Sequence, residues 1–231
     1  MFKALLLLLA ATISTAYANE DKIKSTLLKK VPQIGQINQV IKSAVPGLYE
    51  VATQDRLFYT DDKAQFLIDG SVYDLKNMRN LTAERARKLF ALDFSQLPLE
   101  LAVVQVKGKG ERKLAIFTDP NCGFCKKLEQ DLKQIDNVTL YQLMYPIMGS
   151  EEKVRGVWCS KDRAKAWDSM MNDGITPPAG TCDAPIEKLM ALGRKLKVNG
   201  TPTLIFADGT INPGYLPAAE LEKALTAAEP R

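Results

Sequence analysis

The chain has 231 residues, a formal net charge of +4, four cysteines and no histidine. The missing imidazole excludes Ser-His-Asp and Cys-His nucleophiles and any histidine-held metal. A charge balance this mild argues against nucleic acid as a partner, which takes a concentrated basic surface.

From the N-terminus, Lys3 precedes an apolar run from Ala4 to Ala11, and Ala16-Tyr17-Ala18 supplies the small residues a signal peptidase needs. Residues 1–18 are therefore expected to be a cleaved secretory signal. No later stretch approaches the ~20 apolar residues of a transmembrane helix, so the mature protein is expected to be soluble. Export places the cysteines in an oxidising compartment, where an even count permits two disulfides.

Ile23, Leu27, Leu28 and Val31 have helical spacing, and Pro32 ends the pattern. Short β segments follow at 36–43, 48–53, 57–60, 64–68 and 72–75, separated by Pro46-Gly47, Gln54-Asp55, Asp61-Asp62 and Asp69-Gly70, turns that make hairpins. Residues 19–77 read as a small antiparallel sheet with one helix. So short a chain has little core of its own and leaves an edge strand, and pairing with a second copy would relieve both conditions. From Thr82, placed as N-cap, the charged run to Leu92 predicts a linker helix within residues 78–99. A second domain, 100–231, then opens with strands at 101–106 and 114–117 flanking a polar turn, which predicts a hairpin.

The second of these strands runs into Asp119-Pro120-Asn121, then Cys122-Gly123-Phe124-Cys125, then a helical pattern through Leu128, Leu132 and Ile135. Two cysteines thus stand where a strand hands over to a helix. Unpaired backbone N–H groups and the helix dipole favour negative charge there, so Cys122 is expected to hold a thiolate and act as nucleophile, with an exposed sulfur. Cys125, nearly one turn on, is placed to attack a mixed disulfide formed at Cys122 and release it. A zinc site would need a second ligand pair, but Cys159 and Cys182 do not form another CxxC, so no metal and no cofactor is expected.

Beyond the motif, residues 138–144 predict a central strand ending before Pro146. Helix is expected over 150–174 and 184–196, with Trp158 and Trp167 in the core. Gly200-Thr201-Pro202-Thr203 then puts a proline at the first residue of a strand, where an unpaired edge at Thr201 could bond an extended substrate backbone. Residues 207–210 form a hairpin turn, and a closing helix runs from Ala218 to Ala228.

Several of these motifs occur together in one family. Cys122-Gly123-Phe124-Cys125 with the upstream Phe117-Thr118-Asp119, and Asn199-Gly200-Thr201-Pro202-Thr203, resemble the thioredoxin-fold disulfide isomerases of the bacterial periplasm, the DsbC group. The likeness extends to Trp158-Cys159, Thr181-Cys182-Asp183, Pro213-Gly214-Tyr215, Tyr59-Thr60-Asp61-Asp62 and Val72-Tyr73-Asp74, so it covers nearly all of the chain after the signal. The resemblance implies an α+β, cystatin-like N-terminal dimerisation domain, a helical linker and an α/β thioredoxin-fold catalytic domain with a helical insertion.

It further implies that Thr201-Pro202 is cis and lines a substrate groove with Gly123 and Phe124. Four cysteines allow three pairings; the close pair favours Cys122 with Cys125 and leaves Cys159 with Cys182 as a structural bridge, the pairing the resemblance also implies. That bridge would stabilise the fold by roughly 3 kcal/mol in the chain-entropy model. Family members often carry histidine directly after the second cysteine; here Lys126 supplies positive charge without an imidazole's switch near neutral pH.

The expected function is that of a periplasmic homodimer that reduces and reshuffles wrong disulfides in exported proteins. The family implies chaperone activity toward misfolded exported chains and a membrane reductase of the DsbD type as electron donor. Two alternatives are a DsbG-like reductase of sulfenylated cysteines and a dimeric chaperone whose CxxC only staples a turn. The Gly-Phe dipeptide between the cysteines resembles the isomerase pattern more than the proline-containing one of the DsbG relative.

Overall fold

Ile23 and Leu27 stand one helical turn apart and are both buried, which fixes the inward face of α1, a helix over residues 19–30. The computed structural model describes residues 19–229 and divides between Phe90 and Ala91 into two compact units. The expected signal, 1–18, lies outside the described residues.

In the first unit α1 packs on an antiparallel sheet of β1 (Gln39–Lys42), β2 (Leu48–Ala52), β3 (Leu57–Asp61) and β4 (Leu67–Ile68), in that order. Consecutive strand residues face opposite ways, so Phe58 joins Ile23, Leu27, Val40 and Val51 on the helix side, while Tyr59 joins Ala52 and Leu57 on the other. The turn expected at Asp69-Gly70 does not make a hairpin. Instead β5 (Tyr73–Asp74) pairs with β6 (Arg79–Asn80) as a separate ribbon. The local chemistry decides this: Asp74 accepts from the Lys76 amide at 3.0 Å and from Asn77 Nδ2 at 2.7 Å, closing a turn of its own, while Asp69 is ion-paired to Arg56.

Helix α2 (Leu81–Leu89) is capped two residues earlier than expected. Asn80 is the N-cap, its Oδ1 accepting from the Ala83 amide at 2.9 Å, because the Thr82 hydroxyl is taken by Tyr59 Oη at 2.7 Å and the Val72 amide at 2.8 Å. Leu89 and Phe90 then cover Ala52, Leu57 and Tyr59.

The second unit is built on a five-stranded sheet. In chain order its strands are β7 (Val103–Lys107), β8 (Arg112–Thr118), β9 (Val138–Met144), β10 (Thr203–Phe206) and β11 (Ile211–Pro213). In space they run β11-β10-β8-β9-β7, with β8 and β9 parallel and the other neighbours antiparallel. The hairpin expected between β7 and β8 is therefore absent: β9 lies between them. The burial patterns explain the order, since β9 is apolar on both faces at Leu140, Leu143 and Met144, whereas Val104 and Val106 of β7 remain exposed, as suits an edge.

Three helices come from the redox segment and the C-terminal half: α3 (Gly123–Leu132), α6 (Ile186–Lys195) and α7 (Ala218–Ala227). On one face of the sheet Leu114, Ile116, Leu140 and Leu204 meet Leu128 and Leu132 of α3 and Leu221 and Leu225 of α7. On the other, Ala115, Phe117, Leu143 and Ile205 meet Leu189 of α6 and Phe94. The β10–β11 turn carries Gly209 at φ +81°, and a Cβ there would lie 1.6 Å from Leu92 O, so no side chain fits.

The helical stretch expected over 150–174 is broken into α4 (Glu151–Cys159) and α5 (Arg163–Asp168), followed by a π turn at Ser169–Asp173. The break is local: the side chain of Asp162 leaves the helix to cap α5 at the Lys165 amide, 3.0 Å away. Trp158, Trp167, Met170 and Met171 of this insertion form a core with Met144, Ile186 and the two CxxC cysteines. Among the described residues no helix is long and apolar enough to cross a membrane.

Candidate active site

The redox segment begins where β8 ends. Asp119 has no exposed surface, and its side-chain oxygens collect three donors: the Asn121 amide at 2.7 Å, Ser150 Oγ at 2.9 Å and the Met148 amide at 2.8 Å. Asn121 adds Nδ2 to Met148 O at 3.1 Å, and Tyr145 N bonds Thr118 O at 2.7 Å. These bonds stitch residues 118–122 to the loop after β9 and hold the turn, closed by Cys122 N on Asp119 O at 3.0 Å, that leads into α3.

Cys122 is the N-cap of α3, with extended backbone angles and its Sγ accepting from the Cys125 amide at 3.4 Å. A cysteine thus takes the place usually held by serine or aspartate, with its sulfur against orphan N–H groups. Burial alone would push this thiol up, but hydrogen bonds from Thr201, Cys125 and the Cys125 and Phe124 amides outweigh it and bring the thiol below its ordinary value. The sulfur is not exposed as expected: Cys122 is 6% accessible, covered by the Thr201 segment, whose carbonyl oxygen lies 3.2 Å from Sγ. Cys125 is deeper still, at 1%. Burial pushes its thiol up to about 12, against the opposing pull of Thr118 and the Asp119 amide.

The Thr201–Pro202 bond is cis, and this segment and the CxxC meet at Cys122. Gly214 N bonds Pro202 O at 2.8 Å, which brings Tyr215 toward α3. There Phe124, 62% exposed, packs at 6.1 Å against Tyr215, whose hydroxyl is held by Asp131 and whose ring carries the Lys127 ammonium at 4.7 Å. The Asp131 bond, with burial and nearby acids adding, pushes the Tyr215 phenol up to about 12. The structure therefore brings together Cys122, Phe124, Cys125, Thr201 and Pro202; Gly123, the first residue of α3, is exposed beside them. Cys159 and Cys182 lie apart from this group as a disulfide with Cα atoms 5.6 Å apart.

One turn below Cys125 on α3 is Glu129, only 5% exposed. Its Oε1 accepts from Trp167 Nε1 and from Gln142 Nε2, each at 2.9 Å. Burial pushes this carboxyl up to about 7, offset in part by the Trp167 bond and by Lys107. A carboxyl with a folded value above its unfolded one binds more protons when native, so stability is lost as pH rises through that window, here from about 4.5 to 7. Replacing Glu129 by glutamine should remove that loss. Relative to the unaltered protein, the variant is expected to gain on the order of 2–3 kcal/mol between pH 5 and pH 8, read by denaturant titration. A pH-independent difference would show that Glu129 does not titrate in this range.

Sequence reasoning singled out neither Asp119 as a hub nor Glu129, nor Tyr215 as a neighbour of Phe124. Only Glu129 carried a local signal, an acid between Leu128 and Leu132 on the inward stripe of the helix. The other two depend on loops returning from more than 25 residues away.

This architecture defines a thioredoxin-fold domain with a CxxC dithiol at a helix start, preceded by a separate α+β module. Residues 99–229 match the family model described as Thioredoxin-like domain, and residues 14–83 the one described as Disulfide bond isomerase protein N-terminal domain. The chain is 47% identical over 181 residues to the probable thiol:disulfide interchange protein DsbC of Bordetella parapertussis, a match covering 78% of this chain and 65% of that protein. With the thiol:disulfide interchange protein DsbC of Escherichia coli K12 it is 31% identical over 225 residues, covering 94% and 92%. A crystal structure of a disulfide interchange protein from Neisseria gonorrhoeae aligns with 38% identity and a TM-score of 0.56, over 58% of this chain and all of that one. The chain belongs to the DsbC family of thiol:disulfide interchange proteins.

Proposed function

We propose that this protein is a periplasmic disulfide isomerase that reduces and reshuffles incorrect disulfides in exported proteins through Cys122 and Cys125. The observation that carries the reading is the sulfur of Cys122 at the α3 N-cap, with its thiol below the ordinary value, beside a second thiol pushed up to about 12. Cys122, as thiolate, attacks a substrate disulfide and forms a mixed disulfide. A second substrate thiol then resolves it into a new pairing, or Cys125 resolves it and leaves the enzyme oxidised. Gly123, Phe124, Thr201 and Pro202 line the groove that receives the substrate, and Cys159–Cys182 is the structural bridge. A membrane reductase of the DsbD type keeps the pair reduced, and the protein also acts as a chaperone for misfolded exported chains.

The first unit supports a homodimer. Leu75 and Met78, each 78% exposed, lie with Phe66 and Tyr73 in one short segment, more apolar surface than a small unit leaves open without a partner, and a second copy supplies a matching one. The test combines sedimentation with reactivation of scrambled ribonuclease. The intact protein should sediment as a dimer and reactivate the substrate, whereas the double variant Leu75→Glu, Met78→Glu should be a monomer that still reduces insulin but reactivates scrambled ribonuclease at least several-fold more slowly. An intact protein that is monomeric at micromolar concentration removes the dimer, and one that reduces insulin without reactivating ribonuclease is a reductase rather than an isomerase.

A further inference from the structure

The large apolar side chains left open to water in the second unit are of two kinds. Val104 and Val106 lie on the edge strand β7, and Ile175 follows the π turn of the insertion. Phe124, Ile147 and Met148 stand instead at the end of the sheet that carries Cys122. Apolar residues scattered singly on a surface need no partner, but a group of them beside a reactive sulfur marks a contact surface.

Strand order puts Phe124 and the Ile147–Met148 pair on opposite sides of that sulfur. β8 lies between β10 and β9, and the three share one rim, with Thr118 opposite Met144 and Phe117 opposite Thr203. On one side β11 ends at the same rim, Pro213 opposite Thr203, and leads to Tyr215, on which Phe124 packs. On the other, the chain leaving β9 runs through buried Pro146 to Ile147 and Met148, which are 40% and 52% exposed. This loop is held, not loose. Met148 N donates to Asp119 Oδ2 at 2.8 Å, Ile147 N donates to Tyr145 O at 2.8 Å, and Asn121, the residue before Cys122, donates from Nδ2 to Met148 O at 3.1 Å.

We propose that Ile147 and Met148 form a second wall of the substrate site, and that Met148 selects chains carrying an apolar side chain close to the attacked cysteine, an inference that rests on the dithiol reading above. From β11 to β9 is three strand spacings, roughly 14 Å, the length of about four extended residues. A chain held at Thr201 with its disulfide at Cys122 Sγ therefore reaches Phe124 with one flank and Met148 with the other. The occupant is an unfolded exported polypeptide, because the segment bearing the attacked disulfide has to cross this rim and the loop is bonded to the residue next to Cys122. A thioether on an unbranched stem adapts to leucine, valine or phenylalanine alike, so the wall reads apolar character rather than one shape. The backbone bonds fix the loop before substrate arrives, so little ordering is lost on binding.

The test uses the full reduced chain and two synthetic peptides, each with one cysteine held as a mixed disulfide with thionitrobenzoate. One peptide carries leucine at the nearby positions on both sides of the cysteine, the other serine. Cys122 attacks the peptide sulfur, the Cys122–peptide disulfide forms, and thionitrobenzoate leaves as a coloured thiolate whose release gives the rate. The unaltered protein should prefer the leucine peptide about tenfold. In Met148→Gln, which keeps the backbone bonds of the loop, that ratio should fall about threefold, the Phe124 side retaining the rest; Met148→Leu should keep it. Each variant is its own control, because the readout is a ratio on one preparation. No preference in the unaltered protein, or the same ratio in Met148→Gln, overturns the inference and leaves the proposed function standing. A fall in both rates with the ratio held overturns it too, since the loop would then only support the cysteine segment. Sedimentation of Met148→Gln as a smaller species than the unaltered protein would assign the patch to a contact between copies, also against the inference. Failure of the unaltered protein to release the coloured thiolate from either peptide removes the function itself.

Discussion

Cys122→Ser should reduce insulin no faster than the reagent background, a loss of roughly a thousandfold or more, because a serine hydroxyl supplies no thiolate at neutral pH. Cys125→Ser should behave differently. The first attack survives, since Cys122 keeps its place at the α3 N-cap, but the covalent complex is released only by an external thiol. That variant should accumulate mixed disulfides with substrate, seen as slower bands on non-reducing gels, and turn over about tenfold more slowly.

Alkylation separates the two thiols in the unaltered protein. Iodoacetamide at mildly acidic pH should modify Cys122 first, because hydrogen bonding holds its thiol below the ordinary value while burial holds that of Cys125 at about 12. The sign is fixed by which form reacts: labelling requires the thiolate, so the Cys122 rate falls as pH drops through its own value, and Cys125 stays protected throughout. Prior labelling of Cys125 would reverse the assignment. The 6% accessibility of Cys122 sets a further expectation, that a small reagent outpaces a bulky maleimide.

The strand–CxxC–helix order was legible in the sequence because each part is signalled within a few residues: an apolar run, a breaker, and a 3.6-residue stripe through Leu128 and Leu132. The first strand of the second unit was legible as a strand but not in its pairing. Periodicity says which face of β7 is buried and nothing about β9 arriving later to separate it from β8. The same limit applies to Asp69-Gly70, whose turn chemistry is genuine but was outcompeted by Asp74 and Asn77 a few residues on. Thr82 was misread as a cap because its hydroxyl is engaged by Tyr59, which is 23 residues earlier in the chain. In the site, the cysteines and the Thr201–Pro202 segment announce themselves by motif. Their supports do not: Asp119 reads as a strand breaker until Met148 and Ser150 are seen returning to it.

That difference makes Asp119 the most informative residue outside the cysteines. Asp119→Ala deletes an acceptor shared by three donors, and Ser150 Oγ, buried in the protein, is left without its partner. The Asn121 and Met148 amides lie nearer the surface, so water recovers part of their loss. An unpaired buried donor costs about 1–3 kcal/mol, and the sum here should be about 3 kcal/mol, a fall in Tm on the order of 10 °C. Asp119→Asn keeps one acceptor oxygen and should lose about half as much. The consequence reaches the site, because this turn sets the approach that aims Cys122 Sγ at the Cys125 amide. With the approach loosened, that bond weakens and the thiol drifts back up, so the pH at which Cys122 becomes half-reactive toward iodoacetamide should rise in the order unaltered, Asn, Ala. A destabilised alanine variant with an unshifted Cys122 profile would confine Asp119 to folding, and one with unchanged Tm would show that the loop finds other partners for its donors.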